Sequence, residues 1–362
     1  MSYYLLPKIY NFLNVNPKDN INECEIYSSY SLYNFYNNTK KQIDMLCSKE
    51  NDQSFTSYDE LTKIVHPYEY IFFKVPGSKF SVSKLKPETN LFYDFFEICT
   101  TLNIFDSFKK SNIKSLHVTH NNNDIVRCVE TLRENYSDEM SSYNEINEQM
   151  LKTISNTKFD FLFFEYNNSN FDLNNYFISL IEFVILIFKN QESNGSCVIK
   201  IDCVFHKIVI DILYILSSMY DKVYVLKPNT SNVTTFEKYI ICKNFQSNES
   251  DSNYFKYNYY KLLIFLKKLE GKNIISILDL NIPYYFLSKV NDMNIIIGQQ
   301  QLESLDLMIN ILKNKNKENK IDTIKKNNIQ KSIAWCEKHK IPCNKFTEKI
   351  NMFFSINKEE NG

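Results

Sequence analysis

The chain has 362 residues, of which 44% are hydrophobic, and its 42 lysines and arginines are balanced by 42 aspartates and glutamates. This length allows one large domain with appendages or two domains, and it excludes a chain too short to build a core. The zero formal charge excludes attraction of nucleic acid by the molecule as a whole, so such binding needs local basic patches. Nine cysteines at irregular spacing, and a start without a secretory signal pattern, predict a reducing, cytoplasmic setting.

Residues 1–80 form a predicted N-terminal extension that is rich in aromatic residues and irregular in pattern. Four tyrosines at a spacing of three favour one face of a helix, namely Tyr27, Tyr30, Tyr33 and Tyr36. Their rings suit stacking on RNA bases, but the favoured interpretation is that they pack onto the neighbouring domain.

A predicted helix from Asn90 to Leu102 precedes a predicted strand from Ile113 to Val118. The turn after this strand is rich in asparagine, which tolerates left-handed backbone better than other residues with a side chain. Asp124 then has the character of an N-cap for a helix from Ile125 to about Glu134.

The segment from Phe159 to Glu165, FDFLFFE, is nearly continuous in apolar residues, which is typical of a strand covered on both faces. No convincing apolar strand pattern lies between Tyr136 and Lys158, so we predict a sheet that is trimmed on this side. The apolar segment from Tyr176 to Phe188 contains Glu182 and is too short for a membrane span of about 20 residues. It predicts a helix buried against the sheet and no membrane partner.

The strongest pattern lies between Gly195 and Phe245. It predicts, in order, a strand from Ser196 to Ile201, a helix from about Val204 to Met219, a strand from Lys222 to Leu226, a loop, and a strand from Glu237 to Lys243. The helical crossover makes the first two strands parallel, whereas the loop makes the last two an antiparallel edge hairpin. Lys200 and Glu237 therefore arrive at the same edge of one sheet, where open α/β sheets carry their ligands. We predict that their side chains make contact.

Residues 251–362 predict a helical C-terminal extension, with amphipathic segments from Tyr257 to Leu269 and from Gly298 to Lys313. Residues 313–331 carry the strongest concentration of lysines in the chain. A solvated helical surface and a surface that contacts RNA phosphates both fit this pattern. Trp335 is predicted to anchor this region to a core.

Two groups of side chains have the chemistry of metal ligands: His117 with His120, and Cys336 with His339 and Cys343. His117 is predicted on one face of a strand and His120 in the turn after it, and the second group has no fourth ligand nearby and no paired CxxC spacing, so we predict no metal site.

Residues 65–245, and most clearly those after Ser155, resemble the FtsJ-like RNA ribose 2′-O-methyltransferases, in particular those of large cytoplasmic DNA viruses. The resemblance rests on Lys200 at a strand, the loop Lys227-Pro228-Asn229-Thr230-Ser231, and Glu237 just before the final strand. It implies an α/β fold for residues 81–250, with a Rossmann-like methyltransferase sheet that is mostly parallel and carries an antiparallel edge hairpin.

The resemblance also implies a catalytic set, Lys-Asp-Lys-Glu in the family, which falls here on Asp94, Glu165, Lys200 and Glu237. Methyl transfer to a ribose hydroxyl needs a base that takes up the proton, and lysine serves only when it is neutral. A second positive group would lower the pKa of that lysine. Asp94 reverses this charge, so we predict that Lys200 stays protonated.

The cofactor implied by the resemblance is S-adenosylmethionine, which the family binds at a glycine-rich turn where positive φ and close backbone approach are needed. The corresponding positions here are His117, Asn121, Asn122, Asn123 and Asp124. Their side chains project into the cofactor space, so we predict that S-adenosylmethionine binds weakly or not at all.

Two functions follow from the resemblance. The first is a working 2′-O-methyltransferase that acts next to a capped RNA 5′ end, with Lys200 as the base, supported by Glu165 and Glu237. The second is a methyltransferase-like protein without cofactor, which binds RNA or serves as a scaffold for protein partners in a viral capping or transcription complex. The residues favour the second. RNA contacts are predicted for Lys227, Ser231, Lys315, Lys317, Lys320, Lys325 and Lys326.

Overall fold

The computed structural model describes residues 2–21, 24–49, 57–166, 172–247, 251–269, 271–314 and 317–344. The strands in these ranges are β1 (Ser2–Leu5), β2 (Lys18–Asn20), β3 (Lys114–Val118), β4 (Glu139–Tyr143), β5 (Phe159–Glu165), β6 (Gln191–Ile201), β7 (Tyr220–Lys227), β8 (Lys238–Phe245) and β9 (Asn273–Ser276). The α-helices are α1 (Tyr30–Lys49), α2 (Tyr58–Val65), α3 (Glu69–Phe72), α4 (Leu91–Leu102), α5 (Asn122–Leu132), α6 (Glu148–Thr153), α7 (Leu173–Asn190), α8 (Lys207–Met219), α9 (Ser252–Lys267), α10 (Tyr284–Lys313) and α11 (Lys317–Lys338).

The central sheet has seven strands in the order β1-β7-β8-β6-β5-β3-β4. Strands β4, β3, β5 and β6 pair in parallel, whereas β8 is antiparallel to both β6 and β7. β1 pairs with the outer side of β7 and is antiparallel to it. The predicted α/β fold, with a mostly parallel sheet and an antiparallel hairpin towards one edge, is confirmed. β8 lies between the two strands that the helical crossover connects.

All five predicted strands belong to this sheet, but the prediction that it lacks strands between Tyr136 and Lys158 is wrong in part. β4 lies in that range and pairs with β3. Its sequence EMSSY has no apolar run because it is an edge strand whose side chains are exposed or half-buried. An edge strand needs little apolar surface, and so the apolar pattern did not reveal it.

Helices cover both faces of the sheet, and the alternation of side chains along β5 divides the core in two. Leu162 and Phe164 join the cluster formed with α7 and α8, whereas Phe161 and Phe163 join the cluster formed with α4, α5 and α11. α7 is long and apolar enough to cross a membrane, but most of it is buried in this core. The prediction of a helix buried against the sheet is confirmed.

The N-terminal region is more regular than predicted, because its elements are completed by distant parts of the chain. β1 extends the central sheet, β2 pairs with β9, and α1 packs against α10. Tyr33 and Tyr36 pack onto Phe236, as the favoured interpretation required, whereas Tyr27 and Tyr30 are exposed. The predicted domain boundaries at residues 80 and 250 stay a prediction.

The C-terminal region is helical, as predicted, with α9, α10 and α11. Trp335 is 3% exposed, and its ring contacts those of Tyr93 and His339, so its predicted role as an anchor is confirmed.

Candidate functional site

The candidate site is centred on Lys200, near the carboxyl end of β6. The sheet register places Glu165 beside it on β5 and Tyr239 beside it on β8. The Lys200 Nζ donates to Glu165 Oε1 at 2.8 Å and lies 3.5 Å from Glu237 Oε1. The predicted contact between Lys200 and Glu237 is confirmed.

The electrostatics of this cluster favour the charged form of Lys200. Burial by itself would lower the pKa of Lys200, but the carboxylates of Glu237 and Glu165 outweigh it and raise that pKa above its usual value. Burial opposes ionisation of Glu237 as well, yet Lys200 and Lys227 hold its pKa below the usual range. Lys200 is therefore an ammonium ion at neutral pH.

Asp94 points from α4 towards this cluster, but it holds a loop instead of activating Lys200. The Thr230 hydroxyl donates to Asp94 Oδ1, and the Tyr239 hydroxyl donates to Oδ2 at 3.0 Å. Burial raises the pKa of Asp94 to about 7, although both hydroxyls and Lys200 favour its ionised form. The carboxyl group is thus fixed by one residue of the loop and one of β8.

Glu97, one turn further along α4, holds the same loop, and sequence reasoning missed it. Its carboxylate accepts the Asn229 backbone N–H at 2.9 Å and the Asn229 side-chain amide at 2.7 Å. Glu97 is fully buried. The only signal in the sequence is a second acidic residue three positions after Asp94 in an otherwise apolar helix.

Lys227 and Ser231, which were predicted to contact RNA, both have buried side chains. Lys227 is 9% exposed, and its Nζ donates to the backbone carbonyls of Thr235 at 2.7 Å and Glu237 at 3.0 Å. Burial lowers the pKa of Lys227 to about 8. Its ammonium group closes the loop between β7 and β8, whose carbonyl groups need donors.

The turn after β3 is built without left-handed backbone, contrary to the prediction. None of residues 119–124 has a positive φ. Instead, the Thr119 hydroxyl accepts the Asn121 N–H at 3.0 Å and donates to Glu165. Asn122 donates to Asn144 at 3.1 Å, and Asn123 donates to Glu88 at 2.8 Å. The asparagines bind neighbouring loops and leave no glycine-like cradle.

The prediction that Asp124 is an N-cap is wrong, because α5 already begins at Asn122. Its buried carboxylate accepts the backbone N–H groups of Glu88 at 2.8 Å and Thr89 at 2.7 Å. It thereby fixes the segment that leads into α4. The contacts of Asp124, together with the hydrogen bond from Asn123 to Glu88, join the segment before α4 to the turn after β3.

His117 does not reach this turn either. It is fully buried on β3, where its ring contacts Phe161 and its Nδ1 lies 3.4 Å from the Ser142 hydroxyl. Burial lowers its pKa to about 3, so the ring is neutral. The predicted role of His117 at a cofactor is not compatible with this position inside the core.

The lysines predicted to contact RNA at the C-terminal side lie on or before α11, which begins at Lys317. Lys320 and Lys325 are half-buried and Lys326 is exposed, whereas Lys315 lies outside the described residues. Among the residues that the structure describes, no group of three or more His, Cys, Asp or Glu is arranged to hold a metal ion.

In the strand order, β8 lies between β6 and β7 and is antiparallel to both. This order defines a Rossmann-like, methyltransferase-like α/β fold. No protein-family model matches the sequence. No curated protein matches it either.

Solved structures that are similar include a protein of Plasmodium falciparum described as a ribosomal RNA methyltransferase. It has 13% identity and a TM-score of 0.33, and the match covers 44% of this chain and 99% of that one. Another is a protein of Corynebacterium glutamicum described as a spermidine synthase, with 10% identity, a TM-score of 0.32, and coverage of 57% and 89% respectively. At these TM-scores neither likeness carries an argument about function.

Proposed function

We propose that this chain is an FtsJ-like protein that binds RNA without transferring a methyl group, and that it serves as a subunit of a viral RNA-processing complex. The observation that carries this proposal is the state of Lys200. It is held as an ammonium ion by Glu165 and Glu237, while Asp94 occupies the helix position where the family has an activating lysine.

A protonated Lys200 cannot accept the proton of a ribose hydroxyl. A neighbouring cation would lower its pKa, but Lys227 does not compensate for the missing lysine. Its Nζ is committed to two backbone carbonyls, and Glu237 and Glu165 act more strongly on Lys200 in the opposite direction. Base catalysis by Lys200 is therefore suppressed at neutral pH.

The residues after β3 also do not fit S-adenosylmethionine. The cofactor needs a backbone approach without side chains, whereas Thr119 and Asn121 donate to Glu165 across this space. Asn123 is bound to Glu88, so the preceding segment is fixed against the same turn. Binding would require breaking several of these hydrogen bonds, and we derive no chemical step through the cofactor.

RNA binding is supported by the charge of α11. Between Lys317 and Lys338 this helix carries six lysines, against Glu318, Asp322 and Glu337. A chain without net charge needs such a local surface to attract phosphates. Lysines on the outer side of one helix suit contacts with a phosphate backbone better than recognition of one sequence.

The test is the affinity for single-stranded RNA as a function of salt. Replacement of Lys320 and Lys326 by Glu should weaken binding and flatten the slope of log affinity against log salt by about 0.7 for each phosphate that is no longer neutralised. Lys152→Glu, an exposed lysine on α6, is the matched control and should change little. Failure of the unmodified protein to bind RNA at about 50 mM salt would refute the proposal.

One observation favours a second function, a working methyltransferase: the constellation of Lys200, Glu165 and Glu237 is assembled. We expect no transfer of a labelled methyl group to capped RNA. Transfer that Lys200→Ala abolishes would establish the enzyme and overturn the first proposal.

A further inference from the structure

A cavity of about 410 Å³ lies between the β7–β8 loop, α10, α11 and the turn before α3. Its size falls within the range of small-molecule pockets, roughly 300–1,000 Å³. Val65, Ile297 and Leu307 give it an apolar part. The polar part includes side chains of Tyr68 and Gln301. The cavity shares Lys227 and the β7–β8 loop with the Lys200 cluster, whereas its other walls lie outside that cluster.

One buried polar atom without a partner belongs to a residue that lines this cavity, and two more belong to residues close in sequence to lining residues. Gln301 is 1% exposed and lines the cavity, and its side-chain N–H donates to the Thr235 carbonyl. Its Oε1 has no hydrogen-bond partner among the described residues. The same holds for His66 Nδ1 and Ser231 Oγ, in segments that contribute Pro67 and Asn229 to the lining. Because buried polar groups are nearly always paired, these atoms indicate a site for a ligand with polar groups of its own.

The side chains around the cavity match the parts of a nucleotide. A nucleobase has apolar faces and a polar edge, and the cavity combines apolar walls with amide side chains of Gln301 and Asn327. Tyr68 supplies an aromatic ring of the kind on which bases stack. Lys331 lines the cavity and is exposed, so its ammonium group is available to a phosphate at the opening.

We infer that this cavity binds one nucleotide unit, with the base inside and the phosphate at Lys331. That the nucleotide belongs to an RNA chain rests on the proposed function. The base would then contact Pro228 and Asn229, and Asn229 is held by Glu97. RNA would thereby be positioned against the same loop that Lys227 and Glu97 stabilise.

The direct test is titration of the full chain with AMP, GMP, CMP and UMP, with binding measured by saturation-transfer NMR and calorimetry. Ser304→Trp places a large side chain in the cavity from the surface of α10 and should abolish binding. Lys331→Glu should weaken binding at least about tenfold, as expected for removal of one charge-assisted hydrogen bond. Lys152→Glu makes the same change of charge at an exposed position on α6, outside the cavity, and it should have less than about a twofold effect.

The outcomes separate this inference from the proposed function. Binding of a mononucleotide that Ser304→Trp abolishes in a folded protein supports the cavity, whether or not RNA binds. No mononucleotide binding, or equal effects of Lys331→Glu and Lys152→Glu, overturns it. If no mononucleotide binds and RNA binds with an affinity that Ser304→Trp leaves unchanged, the proposed function stands and the cavity assignment fails.

Discussion

Replacement of Asp94 by lysine would restore the residue type that the FtsJ-like family has on this helix, and we expect it to damage the fold instead of restoring activity. The Asp94 carboxylate accepts the hydroxyl groups of Thr230 and Tyr239, and all three side chains are buried. Lysine has no acceptor. Both hydroxyls would be left without an acceptor, and a positive charge would be added near Lys200.

The expected destabilisation follows from these hydrogen bonds. A buried polar group left without its partner costs about 1–3 kcal/mol, so two such groups cost roughly 2–6 kcal/mol. Asp94→Asn is the matched control, because it keeps the shape and one acceptor and should cost less. Burial raises the pKa of Asp94 to about 7. Because the folded state holds the proton more tightly than the unfolded state, the free energy of unfolding should fall as pH rises from about 4 to 7. The stability of Asp94→Asn relative to the unmodified protein should therefore be greater at pH 8 than at pH 5.

Urea denaturation followed by circular dichroism measures these differences. The reasoning is refuted if Asp94→Lys unfolds within about 1 kcal/mol of the unmodified protein, the lower limit for one unpaired buried group. It is also refuted if the advantage of Asn over Asp shrinks as pH rises.

Three further predictions concern buried charges. Lys238 is 1% exposed, its Nζ lies 3.3 Å from Asn294 Oδ1, and burial lowers its pKa to about 7. The deprotonation of Lys238 should raise the free energy of unfolding by up to about 1.4 kcal/mol per pH unit between pH 7 and 10. Lys238→Met should be more stable than the unmodified protein at pH 7 and should lack this increase. Urea midpoints at pH 7 and 9 test both expectations. Lys227→Met should lower stability by about 1–3 kcal/mol in thermal unfolding, because the carbonyls of Thr235 and Glu237 lose their donor, and an unchanged melting temperature would contradict this. Arg133 binds Asp138 through two nitrogens, at 2.6 and 3.0 Å, so Arg133→Lys should destabilise by about 2 kcal/mol in urea, and a neutral effect would contradict this.

The central strands and the meeting of Lys200 with Glu237 were predictable because they follow from local pattern and general topology. β5 has the bounds that its apolar run predicted. To predict the contact between Lys200 and Glu237, it was enough that a parallel strand ends at the same edge of the sheet where an antiparallel strand begins. No distant residue had to be identified for either prediction.

The roles of Asp94, Glu97 and Lys227 were not predictable, since each depends on a partner that the local pattern does not reveal. Both carboxylates bind the loop after β7, more than 130 positions later. Lysine is rarely buried, so Lys227 was expected at the surface, and only the folded loop shows the carbonyls that its ammonium group binds. β4 was missed for a different reason, because an edge strand carries no apolar run.

The most direct test of the central claim is calorimetric titration of the full chain with S-adenosylmethionine and S-adenosylhomocysteine, with and without single-stranded RNA. The hydrogen bonds of Thr119, Asn121 and Asn123 predict no saturable heat for either compound up to about 1 mM, a concentration that corresponds to only about 4 kcal/mol of binding free energy. Saturable binding in the micromolar range, in either condition, would show that the turn after β3 opens for the cofactor and would contradict the account.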